Sequence, residues 1–166
     1  MRRTQFLLAA GLICCAAFSQ AVKPDFSGTW KLNNDKSKDV PADPNYLSTI
    51  TQTKATIAIT TKAEGVTNLL DGTYPVNGKF RIDKQGNKYR YTKASWEGAT
   101  LVLEITDKDS KKELAKVLFY VRESWTLSPN GKTLFRFRRT AQSAQTTDPA
   151  PQKPAITDQK YVFDKQ

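Results

Sequence analysis

The chain has 166 residues, with 26 lysines and arginines against 16 acids, a formal net charge of +10, no histidine, and two cysteines side by side at Cys14 and Cys15. The lack of histidine excludes Ser-His-Asp triads, histidine-ligated zinc and a histidine-bound haem. The position of both cysteines excludes disulfides and thiolate chemistry from everything downstream of residue 15.

The opening residues have the three parts of an export signal. Arg2 and Arg3 supply the positive start, residues 6–18 are uncharged and apolar, and Ser19-Gln20-Ala21 offers small residues for cleavage after Ala21. The apolar run is short for a bilayer span, and no later segment approaches that length. Residues 1–21 are therefore expected to be a removed signal peptide, and 22–166 a single exported domain, secreted or periplasmic. A lipid anchor on Cys15 would want small residues just before it, whereas Leu12-Ile13-Cys14 stands there. Losing Arg2 and Arg3 with the leader lowers the formal net charge from +10 to +8. That balance suits an anionic partner or surface, and equally plain solubility.

After the leader, Gly28-Thr29-Trp30 enters a first strand, and residues 33–44 form a polar loop containing Pro41 and Pro44. Threonine and β-branched residues then predict strands over 46–52 and 56–61. Residues 66–74 form a weaker strand interrupted by Asp71-Gly72, followed by a turn at 75–78. Short strands are predicted over 79–83 and 88–96, around a turn at Gln85-Gly86-Asn87. Over 100–106, Leu101, Leu103 and Ile105 alternate with Val102, Glu104 and Thr106. A charged tip at 107–113 leads into a strand over 114–127, with Val117, Phe119 and Val121 on one face. Ser128-Pro129-Asn130-Gly131 is a strong hairpin signal, and 132–140 is the returning strand. Residues 141–155 read as an exposed Gln/Thr/Ala/Pro loop, and 160–164 as the last strand. Eight to ten short strands without a sustained helical period predict an all-β fold, an antiparallel up-and-down barrel closed as a meander.

With that pattern in place, Gly28-Thr29-Trp30 behind the turn at Asp25-Phe26-Ser27 resembles the N-terminal signature of the lipocalins and the wider calycin group. DFSGTWKL at 25–32, WTLSPNGKTL at 125–134 and the ending YVFDKQ are together similar to lipocalin-like secreted bacterial proteins. The resemblance covers nearly the whole exported chain. It implies that Gly28 and Trp30 are structural, with Trp30 plugging the closed end beneath an arginine from a late strand. Arg136, Arg138 and Arg139 are the candidates, and Arg138 is the first choice because it falls late in its strand. The sequence departs from lipocalins in lacking an evident C-terminal helix and the disulfide that many of them carry.

A barrel of about eight strands can enclose one small ligand. Its candidate lining is Tyr89, Tyr91, Trp96, Phe119, Trp125, Phe135 and Phe137, residues that would serve equally to fill a core. In 88–93 the tyrosines alternate with Lys88, Arg90 and Thr92, and in 135–138 Phe135 and Phe137 alternate with Arg136 and Arg138. Aromatics inside would leave a basic outer stripe. The reverse would send arginines inward, where they could neutralise a carboxylate or phosphate. Leu134 shares the arginine face and leaves the direction open.

No cofactor and no metal are expected: the tract TDKDSKKE has two aspartates but also three lysines and no glycine for a calcium-loop turn. The basic–aromatic alternation also suits base stacking, but the export signal argues against a nucleic-acid partner. The sequence thus predicts a non-catalytic barrel binding a small apolar or amphipathic molecule, neutral or anionic, with Arg136, Arg138 or Arg90 near its polar end. The alternative is a structural or interaction barrel with a filled core and an envelope protein as partner.

Overall fold

A computed structural model describes residues 22–41, 43–64, 69–112, 114–143 and 154–166. The expected leader, its expected cleavage point and both cysteines lie outside the described residues, as does most of the Gln/Thr/Ala/Pro loop.

Ten strands form one antiparallel sheet: β1 (Gly28–Leu32), β2 (Leu47–Gln52), β3 (Thr56–Lys62), β4 (Gly72–Pro75), β5 (Arg81–Gln85), β6 (Lys88–Glu97), β7 (Thr100–Lys108), β8 (Val117–Leu127), β9 (Thr133–Gln142) and β10 (Ala155–Lys165). Their order is β4-β3-β2-β1-β10-β9-β8-β7-β6-β5, so every neighbour but one is sequential and β1 meets β10. The accumulated twist of so many strands curls the sheet through 331°.

The expected closed meander is corrected here, because the sheet stays open. Its two edges are β4 and β5, of four and five residues, and β4 ends at Pro75, which has no N–H to donate. The seam between them is bridged by single bonds. Gly78 N–H donates to the Ala94 carbonyl (3.0 Å), and Arg81 Nη1 donates to the Thr73 carbonyl (3.3 Å).

The expected strands are found with shifted ends. The segment at 66–74 yields a strand only over Gly72–Pro75 among the described residues, and the last strand begins at Ala155. Ala155 to Gln159 are polar or exposed, and what makes them a strand is the ladder to Arg138–Gln142 on β9.

The end carrying the N-terminal segment is tightly packed. Trp30 and Phe26 are fully buried, and the Trp30 indole N–H donates to the Phe26 carbonyl at 2.8 Å. The Phe26 ring stacks on Trp96 (5.9 Å) and meets Trp125 edge-on (5.8 Å), an arrangement that aromatic quadrupoles favour. Asp25 caps the turn by accepting from Ser27 N–H, and Gln52 holds the segment through Phe26 N–H and the Pro24 carbonyl. Gly28 sits at φ 135°, and a Cβ there would lie 3.0 Å from Lys165 Cε. Both facts explain the glycine of the Gly-x-Trp motif. The cation over Trp30 is Lys165, with Nζ 5.3 Å from the ring, because β1–β10 pairing sets Trp30 opposite Lys165. Arg138, expected there, instead lies over Tyr161 (4.9 Å).

Candidate functional site

Long strands β6 to β10 pair in register, broken only by a shift between Asp107 and Lys108 on β7, so residues of one parity form rows across the inner face. One inner row runs Tyr161, Arg136, Trp125, Leu101, Trp96, and the next runs Gln159, Arg138, Glu123, Leu103, Ala94. The structure thereby decides the direction that alternation left open. On β9 the arginines point inward, with Arg136 fully buried, and Phe135 and Phe137 point outward, Phe137 being 49% exposed. On β6, Thr92 and Ala94 are buried and Arg90 shares their face, while Tyr89 and Tyr91 lie outside beneath lysines.

Of the expected lining, Trp96, Trp125, Arg136 and Arg138 therefore come together inside, Phe119 shares their face further along β8 opposite Asp107, and Tyr89, Tyr91, Phe135 and Phe137 point outward. Aromatic character favours an inward phenylalanine, but Glu123 on the neighbouring strand outweighs it. An inward carboxylate needs inward cations, since an isolated buried charge costs many kcal/mol. Glu123 is the residue the sequence reading missed. Its signal was parity: it continues the Phe119, Val121, Trp125 face of β8.

Glu123 is completely buried and receives Arg136 Nε on one oxygen and Arg138 Nε (3.2 Å) on the other. Burial pushes its carboxyl upward, but the charges and hydrogen bonds of Arg136 and Arg138 outweigh that and hold it below its ordinary value of 4.5. The Arg136 guanidinium lies over Trp125 (4.5 Å) and Phe163 (5.2 Å). Arg138 Nη1 donates to the Tyr161 hydroxyl (3.1 Å), which donates to Gln159 (3.2 Å), whose amide donates to the Asp39 carbonyl (2.8 Å). A single polar chain thus links the interior to the loop after β1.

The triad carries two cations and one anion. Arg136 Nη1 and Nη2, Arg138 Nη2 and Trp125 Nε1 are buried donors to which no described group offers an acceptor. Such groups are costly in a folded interior and call for an acceptor. A second interior cluster shows the contrast. Asp107, 1% exposed, accepts from Arg90 Nε (2.7 Å) and Nη2 (2.8 Å) and from Lys88 Nζ (2.8 Å). Burial raises its pKa, and those hydrogen bonds and charges more than reverse it, so the carboxyl sits below its ordinary 3.8.

A cavity of about 190 Å³ opens at the seam, with Tyr74, Thr92 and Ala94 on its inner wall and Phe80 and Arg81 at its lip. Burial pushes the Tyr74 hydroxyl up to about 12, so it stays neutral and donates to the Leu70 carbonyl (3.0 Å). Larger hollows of about 500 and 470 Å³ lie on the outer side of the sheet. No group of three or more potential metal ligands occurs among the described residues.

No family model matches the chain, and no curated protein matches it.

Proposed function

We propose that this chain is an exported, lipocalin-like and non-catalytic barrel that binds a small hydrophobic or amphipathic molecule. Its apolar body would pack beside Trp96, Phe119 and Trp125, and its polar end would meet Arg136 and Arg138. The observation that carries this reading is the set of buried guanidinium N–H groups without an acceptor, set among aromatic rings. An arginine used only for packing would be expected to spend its donors on the protein. The seam cavity beside Tyr74 offers a route inward, across edges too short to zip shut.

The test is a titration of tryptophan emission with fatty acids and retinoids, on the chain and on Arg136→Met. Trp125 lies under the Arg136 guanidinium, so binding should change its emission saturably in the parent and weaken at least tenfold in the variant. Unchanged emission across the panel would reject the reading. A filled-core barrel working through its outer surface is the second reading, favoured by the larger hollows lying outside the sheet.

A further inference from the structure

The outer face carries a second feature, built mainly on residues outside the interior cluster. Register places Ser124, Phe137 and Lys160 in one outward row and Arg122, Arg139 and Asp158 in the next. Lys38, from the loop after β1, exchanges backbone hydrogen bonds with Lys160 (2.8 and 3.0 Å), so two lysines stand together beyond Phe137. These residues line the hollow of about 500 Å³, a volume that suits a small molecule.

Arg122 and Arg139 are directly opposite each other across the β8–β9 pair, a placement that costs stability for like charges. Their acids come from the far sides. Arg122 is held by Glu97 (2.8 Å) from β6 and Glu104 (3.6 Å) from β7, and Arg139 by Asp158 (2.7 Å) from β10. No acid of the described residues stands between them on the ladder. Lys38 and Lys160 form no ion pair with a described acid. Asp39 and Asp158 are the only acids in a lining that holds Lys38, Lys160, Arg122, Arg139 and, shared with the interior cluster, Arg138. Phe137 offers a half-exposed aromatic ring in the same hollow, next to the short side chain of Ser124.

We propose that this outer groove binds a small aromatic acid, its ring on Phe137 and its carboxylate among Lys38, Lys160 and the Arg122–Arg139 pair. Both halves are needed. An aliphatic acid lacks the ring contact, and a neutral aromatic lacks the charge contact. The ring contact lies away from the interior site, because Phe137 and Arg136 are on opposite faces of β9, while Arg138 and Gln159 border both.

The experiment is an amide-shift titration of the ¹⁵N-labelled chain with 2-naphthoate, alongside 2-naphthamide and acetate. Saturable shifts confined to residues 122–124, 137–139 and 158–160 are expected for naphthoate alone, weakening as salt screens the lysines. Phe137→Ala should weaken binding roughly 3- to 10-fold, the scale of one aromatic pair, and Lys160→Gln should weaken it also. Phe137 is half-exposed and Lys160 partly exposed on the outer face, so the two variants should keep the parent's dispersed spectrum. The proposal is overturned by non-saturable or scattered shifts, by equal binding of naphthamide, or by shifts centred on Leu101, Leu103 and Tyr161. That last pattern would instead place the acid in the interior.

Discussion

Glu123→Gln isolates the interior charge triad with almost no change of shape. The carboxylate is completely buried and is the partner of both Arg136 and Arg138. Its replacement leaves Arg136 buried with no anion, and breaking a buried pair from one side costs about 3–5 kcal/mol. For a domain of this size that corresponds to a fall in Tm of roughly 6–20 °C. Urea unfolding of parent and variant, followed by tryptophan emission, gives the difference directly. The pH profile supplies a second readout. Glu123 titrates below its ordinary value of 4.5 in the fold, so the unfolded chain binds the extra proton first. Its contribution is present above pH 4.5 and is lost as pH falls through the folded pKa, and Glu123→Gln should remove that part of the acid slope. A loss below about 1 kcal/mol, with the slope unchanged, would refute the placement of the triad in a dry interior.

Phe26→Ala removes the ring between Trp96 and Trp125 and should cost about 3–5 kcal/mol by urea unfolding. A surface-sized loss would mean that the N-terminal segment does not pack into one end of the curled sheet. Gly28→Ala forces a side chain onto a backbone at φ 135° and should cost about 1–3 kcal/mol, read as a drop in Tm; an unchanged Tm would remove the conformational explanation of the Gly-x-Trp glycine. Asp107 is held below its ordinary 3.8 by Arg90 and Lys88, so its contribution holds above that pH and fades below it. Asp107→Asn should therefore be destabilised at pH 7 and converge with the parent in strong acid, and a constant gap across pH would contradict the ion cluster.

Local pattern was enough where one strand's own residues decided the outcome. Leu101, Leu103 and Ile105 alternate and are all buried. Ser128-Pro129-Asn130-Gly131 makes its turn, with Gly131 N–H on the Ser128 carbonyl (2.8 Å). The opening Asp-Phe-Ser-Gly-Thr-Trp motif places Trp30 in the core. What could not be read locally depended on a neighbour in space. The inward turn of Arg136 and Arg138 is dictated by Glu123 on β8, thirteen and fifteen residues away. Lys165 takes the place over Trp30 through a β1–β10 register fixed only once the sheet curls. The polar start of β10 is a strand because β9 offers it a ladder, and the open seam follows from the shortness of β4 and β5. Trp96, Phe119 and Trp125 face the interior, and the tyrosines and phenylalanines of β6 and β9 were placed outside by charges on adjoining strands.

The most direct test of the proposal that the interior holds an amphipathic molecule is native mass spectrometry of the chain, purified from cells under mild conditions. Reproducible extra mass that is released on denaturation, and that is missing from Arg136→Met, is the expected result. A bare mass in both proteins, with no uptake from fatty acids, retinoids or other apolar anions, would contradict it and leave a filled core whose buried arginines serve the fold alone.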